Sequence, residues 1–213
     1  MKKSFEKILQ GYQQFRKRYA QADDSIMQLL SRRGQHPEFM IVACCDSRVD
    51  PALILQCEPG ELFIVRNVAN IVPPYENDES YHGTSAALEF GICYLQVKHL
   101  VILGHSQCGG IQALLNQQTL AQQNDFIGHW VSLIAGDQSV HTSVDSQAKA
   151  ALSLSHANCL TFPWIRQRVD QQQLSIHRWF FDIESAEITA YHAPSQDYLP
   201  LEKAFIHQSR QDS

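Results

Sequence analysis

The chain has 213 residues, 44% of them apolar, and 17 Lys and Arg against 22 Asp and Glu give a net charge of −5. That length supports one domain with a substantial core, and the mixed composition excludes wholesale disorder. The acidic balance, with no basic run, argues against a nucleic-acid partner, and no stretch approaches the roughly 20 apolar residues of a membrane span.

Read in order, the segment Met1 to Lys7 carries positive charge but lacks the apolar stretch of a secretory signal, so a cytoplasmic location is expected. Phe5, Ile8, Leu9, Tyr12, Phe15, Tyr19, Ile26, Leu29 and Leu30 recur at helical spacing, which predicts one or two amphipathic helices over residues 3–31. Gly34 and Pro37 end them. Phe39 to Ala43, Leu62 to Val65 and Leu100 to Leu103 are short continuous apolar runs of the kind that form buried strands. Between the last two, Thr84 to Val97 has helical spacing, and another helix is expected from Ile111 to Leu115. Residues 116–150 read as surface helix and loop, 151–172 as helix, and 174–183 with 187–191 as a pair of strands forming an edge hairpin. The last dozen residues are polar and are expected to fray.

Strands alternating with helices predict an α/β fold: a mostly parallel central sheet flanked by helices, with an N-terminal helical arm and a late edge strand. The division expected within residues 1–213 is an arm over 1–33, a core carrying the site over 35–115, and C-terminal helices and edge strands over 116–213.

Two short motifs carry the chemistry. Cys44-Cys45-Asp46-Ser47-Arg48 follows the first apolar run directly, and His105-Ser106-Gln107-Cys108-Gly109-Gly110 follows the third. In open α/β sheets, ligand sites form at the carboxyl ends of strands, where both motifs fall. Cys44, His105 and Cys108 offer two thiolates and an imidazole, a donor set that suits zinc with a fourth position free for exchange. Asp46 lies two residues beyond Cys44 and projects to the same side, and Arg48 is placed to hold its carboxylate in a two-pronged fork. Such a pair lowers the carboxylate's pKa and suits a hydrolytic or hydrating site. Three plainer readings stand beside this: a closed structural zinc site with Asp46 as fourth ligand, ordinary core residues with no metal, and a surface ion pair at Asp46–Arg48.

The remaining cysteines need no disulfide in a chain of this size without an export signal. Cys57, Cys93 and Cys159 are expected to be buried core thiols, and Cys45, pointing away from Cys44, to pack in the core. The other nine histidines show no ligand spacing, and Trp130, Trp164 and Trp179 read as core anchors.

Taken together, these residues resemble the β-class carbonic anhydrases, with features nearer the plant-type branch. Phe39 to Val49 resembles that family's first strand and its Cys-x-Asp-Ser-Arg motif, Gly60 to Asn70 its second signature, and Gly83 to Phe90 the helix before the His-x-x-Cys-Gly-Gly segment. The resemblance implies reversible hydration of CO₂ to bicarbonate and a proton by zinc-bound hydroxide, with one Zn²⁺ per subunit on Cys44, His105 and Cys108. It implies Asp46, held by Arg48, as the group that orients the hydroxide. It places Gln35 and the Gly109 N–H as substrate donors and Phe63, Val68 and Phe90 along a CO₂ pocket supplied in part by a second subunit. A homodimer or dimer of dimers follows, the N-terminal arm wrapping the partner. In some members Asp moves off Arg and becomes a fourth zinc ligand at low pH, a closed state that Asp46 could adopt. Others carry a bicarbonate pocket near a Trp at the position of Ile41, which argues against that pocket here. Cys45, Arg178 and Ser185 depart from the family pattern. A related enzyme acting on carbon disulfide or carbonyl sulfide, and a zinc-stabilised binding protein without catalysis, are the alternatives.

Overall fold

A computed structural model of the chain describes residues 2–22, 24–78, 80–116, 126–135 and 143–204. Two helices come first, α1 (Lys2–Tyr19) and α2 (Ile26–Arg33), followed by β1 (Phe39–Cys44), the short α3 (Pro51–Ile54) and β2 (Leu62–Asn67). Then come α4 (Gly83–Glu89), β3 (His99–His105), α5 (Gly109–Leu115), α6 (Phe126–Ser132), α7 (Val144–Cys159) and α8 (Pro163–Asp170). The chain closes the sheet with β4 (Ser175–Phe181), β5 (Ile188–His192) and β6 (Asp197–Pro200).

The strands lie in the order β2-β1-β3-β4-β5-β6. The first four are parallel, and the last two turn back antiparallel. Burial on both faces explains why β1 and β3 are continuous apolar runs instead of alternating ones. Met40, Val42, Leu100 and Ile102 pack on one face, against Leu114 of α5 and Leu152 of α7 among others. Ile41, Ala43, Val101 and Leu103 pack on the other, with Trp179 and Phe181. The register pairs Cys44 with Asn67, and Gly104 and His105 with Phe180 and Phe181, so both motifs emerge at the same carboxyl edge. No helix among the described residues is long and apolar enough to cross a membrane.

Several sequence expectations change. The helix expected over 151–172 starts at Val144 behind a Ser143–Ser146 capping box and is broken after Cys159. Pro163 cannot sit in a helix interior and instead starts α8 at its first turn. The hairpin β4–β5 is not the sheet edge, because β6 adds outside it. The helix over 84–97 passes into a π-helical turn, Phe90–Tyr94, with the Leu95 N–H donating to Phe90 O at 3.0 Å. That change of phase leaves Cys93 exposed, and Cys57 is only partly covered, so of the three expected core thiols Cys159 alone is buried. Cys45 is exposed too, since β1 ends at Cys44 and the chain leaves the core there. Arg178 is accommodated by donating to Ser153 Oγ at 2.8 Å while stacking 3.4 Å from the Tyr191 ring centroid. Ser185 settles into the β4–β5 turn, its N–H donating to Asp182 Oδ1 at 2.8 Å. Residues 205–213 of the tail expected to fray, and 117–125 and 136–142 of the surface region, lie outside the described residues.

Candidate metal centre

Cys44 ends β1, His105 ends β3, and Cys108 caps α5 three residues later. Their donor atoms all lie within 4.8 Å of one another, with the two sulfurs 3.9 Å apart, and all three residues are buried. Two thiols bury readily, but a buried imidazole nitrogen is costly unless something satisfies it.

The imidazole is set by its neighbours. His105 Nδ1 lies 2.8 Å from the Ser106 carbonyl oxygen, which can only accept, so Nδ1 carries the proton. Nε2 is then left with its lone pair, buried and without a hydrogen-bond partner, facing the two sulfurs. A backbone carbonyl fixing the tautomer of a histidine is the usual arrangement around a metal ligand. Ser106 is itself pinned, its N–H donating to Phe181 O and its Oγ accepting the Ile183 N–H, each at 2.9 Å.

The two sulfurs lie 3.9 Å apart, close enough for either to donate to the other. Contact with Cys108, together with the backbone of Asp46 and Ala69, holds the Cys44 thiol well down, while the same contact and burial push Cys108 up. Burial pulls His105 down, but the charge of Cys44, the Ser106 carbonyl and the Asp46 carboxylate outweigh it and leave the imidazole raised. One shared cation relieves all three groups at once. The donor set, the orphaned Nε2 and the close approach of the two sulfurs therefore fit zinc.

Beside this cluster stands the carboxylate–guanidinium pair foreseen from the sequence. Asp46 Oδ1 accepts from Arg48 Nε at 2.9 Å and from the Arg48 backbone N–H at 2.9 Å, and Oδ2 accepts from Nη2 at 2.7 Å. The fork holds Asp46 well below the usual carboxylate range. Oδ2 is 4.0 Å from His105 Nε2, so the carboxylate rests on the guanidinium and borders the cluster. At Gly109 a side chain would meet nothing within 4 Å, so the chain leaves open space beside Cys108. Val68 is close by, touching the position a Gly110 side chain would occupy.

Three expected site residues are not brought to this cluster within one protomer. Gln35 is exposed and precedes β1, at the opposite end of that strand from Cys44. Phe63 pairs with Met40, four residues before the Cys44–Asn67 pair, which is about 13 Å along a strand. Phe90 stacks on Tyr94 at 5.7 Å and tilts against Phe63 at 5.8 Å, and it is 44% exposed on a bare aromatic surface.

The structure also gives work to residues the motifs did not flag. Arg66 donates from Nε to Cys44 O at 2.9 Å and from Nη2 to Asp46 O and Val49 O at 2.8 and 2.9 Å, clamping the loop that carries the dyad. Trp130 Nε1 donates to Val68 O at 2.8 Å and so fixes the turn whose next residue is Ala69, part of the backbone that holds the Cys44 thiol down. Ala69 holds a left-handed φ of 61° there. An Arg among apolar strand residues was the visible signal for the first, and long-range pairing hid the second.

Comparison with known proteins bears on this geometry. The sequence profile described as "Carbonic anhydrase" matches residues 39–188. A carbonic anhydrase of Synechocystis is 31% identical over 208 residues, covering 91% of this chain and 73% of the relative. Beta carbonic anhydrase 5, chloroplastic, of Arabidopsis thaliana is 39% identical over 159 residues, 70% of this chain, and the chain spans 52% of that relative's length. Among solved structures, the β-carbonic anhydrase CcaA superposes with a TM-score of 0.83 at 30% identity, covering 93% of this chain and 92% of that one. One of two tetrameric β-carbonic anhydrases from Sordaria macrospora gives 0.68 at 27% identity over 88% of this chain and 93% of its own.

Proposed function

The chain belongs to the β class of the carbonic anhydrases and is an enzyme of that activity, and from this premise we propose how its residues divide the work. Cys44, His105 and Cys108 hold one zinc ion per subunit, and Asp46 and Arg48 form the dyad that orients the reacting water. The observation that carries this reading is the buried, unpartnered His105 Nε2 facing the Cys44 and Cys108 sulfurs, which lie 3.9 Å apart. Zinc held there supplies Lewis acidity that lets a water ionise near neutral pH.

The protein's part is positioning and exclusion. With both oxygens gripped by Arg48, Asp46 remains an acceptor at working pH, so a hydroxyl at the edge of the cluster must donate its hydrogen to it. That leaves the hydroxyl's lone pairs directed at the carbon of CO₂. The Gly109 N–H, beside open space at the start of α5, is placed to donate to a substrate oxygen, and Val68 supplies an apolar wall. A small apolar substrate suits a site with one wet and one dry side.

Gln35, Phe63 and Phe90 act across a subunit boundary in this reading. The bare aromatic surface of Phe90 and Tyr94 and the exposed Phe5, Ile8, Leu9 and Tyr12 along α1 supply apolar area for a partner, giving a homodimer or a dimer of dimers. Metal analysis of purified protein tests the zinc assignment. One zinc per chain is expected, falling below a tenth of that in His105→Ala, and retention of full zinc in that variant would overturn the ligand set.

A further inference from the structure

We propose that Asp145, in the first turn of α7, is a positioning residue for the metal centre, acting through the backbone of Gln107. The proposal rests on the zinc reading above.

Gln107 sits between two functional residues and in an unfavourable conformation. It immediately precedes Cys108, and its φ of 55° puts a residue with a side chain in the left-handed region, where the Cβ crowds the backbone. Such a conformation persists only where its surroundings hold it. Two hydrogen bonds do so. The Gln107 N–H donates to Asp145 Oδ1 at 2.9 Å, across 38 residues of sequence. The Gln107 carbonyl accepts from Arg48 Nη2 at 3.3 Å, the same nitrogen that grips Asp46.

One peptide segment is thus tethered on its amide side to α7 and on its carbonyl side to the dyad, with a metal ligand as the next residue. Loss of the Asp145 tether frees Gln107 to leave the left-handed region. That rotation displaces Cys108 and withdraws the carbonyl that steadies Arg48. The tether reaches from a 16-residue helix packed on the sheet, so its far end is rigid. Outer partners of this kind typically govern metal affinity by 10- to 100-fold.

The plain alternative is that Asp145 serves only its own helix, as a negative charge at an N-terminus. Substitutions separate the two roles. Asp145→Asn keeps the acceptor oxygen and removes the charge, whereas Asp145→Ala removes both. Asp145→Ser keeps a good helix-start residue but cannot reach Gln107, and it serves if the Ala variant fails to fold.

The experiment measures zinc affinity of the full-length protein by competition with a chromophoric chelator, alongside Tm and CO₂ hydration. The expected result is zinc affinity at least tenfold weaker in Asp145→Ala and Asp145→Ser and within about threefold of wild type in Asp145→Asn. Adding Gln107→Gly to Asp145→Ala restores part of the affinity, because glycine adopts this φ without strain. Wild-type zinc affinity in Ala and Ser, with Tm alone reduced, overturns the proposal and leaves the helix-charge role. Equal losses of affinity in Asn and Ala overturn it as well. Failure of the wild type itself to bind zinc would instead reject the zinc reading on which the proposal stands.

Discussion

Arg48 grips both carboxylate oxygens of Asp46, through Nε at 2.9 Å and Nη2 at 2.7 Å, on the rim of a buried cluster of two thiols and an imidazole. A fork of this geometry does two things at once: it keeps the carboxylate ionised and it fixes which way its remaining lone pairs point.

Removing the fork therefore costs orientation more than binding. Arg48→Lys keeps a charge but not the planar two-pronged contact, and kcat for CO₂ hydration is expected to fall about 100-fold with zinc content unchanged. Stopped-flow assays on zinc-quantified variants check this. Wild-type turnover in the Lys variant would mean that charge alone suffices.

Stability should carry a histidine signature away from the metal. Burial first, then the neighbouring His99 and His156, pushes His177 down to about 4. Burial lowers His99 and His156 in turn, and His99 Nδ1 lies 3.2 Å from His177 Nε2. An unfolded histidine takes up its proton near pH 6.5, which the folded His177 refuses until about pH 4. The contribution is complete above pH 6.5 and is lost as pH falls towards 4. Urea midpoints across that window should drop less steeply in His177→Gln than in wild type. Parallel slopes would remove His177 from the account.

Assembly and activity should fail together. Phe90 and Tyr94 are 44% and 72% exposed, and Phe63 and Gln35 stand away from the protomer's own cluster. Phe90→Glu places a charge on that surface. It should shift the protein towards monomer in light scattering and lower hydration at least tenfold. An active monomer would show that one protomer's site is complete.

Stripping the metal should spare the fold. Both faces of the sheet are packed by apolar side chains, and of the ligand set only Cys44 and Cys108 belong to that core, so most of it does not depend on an ion. Chelator-treated protein is expected to lose hydration while keeping its far-UV circular dichroism, and added zinc should restore activity. Loss of secondary structure on chelation would make the site structural.

The sheet and the cluster were legible because local pattern and chemistry agree there. Continuous apolar runs at Phe39 to Ala43 and Leu100 to Leu103 become doubly covered strands, and the ligands follow them directly. What stayed hidden depends on pairing across long sequence separations. Asp145 looks like an ordinary helix-start acid until Gln107 appears beside it, and Trp130 like a core anchor until its Nε1 meets Val68. Cys93 escaped burial because the π-helical turn shifts the phase of the helix that its apolar neighbours suggested. Gln35 and Phe90 entered through family resemblance alone, and a single protomer gives them no contact with the cluster. In the proposed reading their place in a site belongs to an assembly, which a single chain's periodicity does not encode.

The most direct test is stopped-flow CO₂ hydration by zinc-replete protein from pH 6 to about 9. The account predicts hydration that rises with pH along the ionisation of the reacting water and falls at least 100-fold in Asp46→Ala with zinc retained. A full zinc complement without hydration anywhere in that range would contradict it.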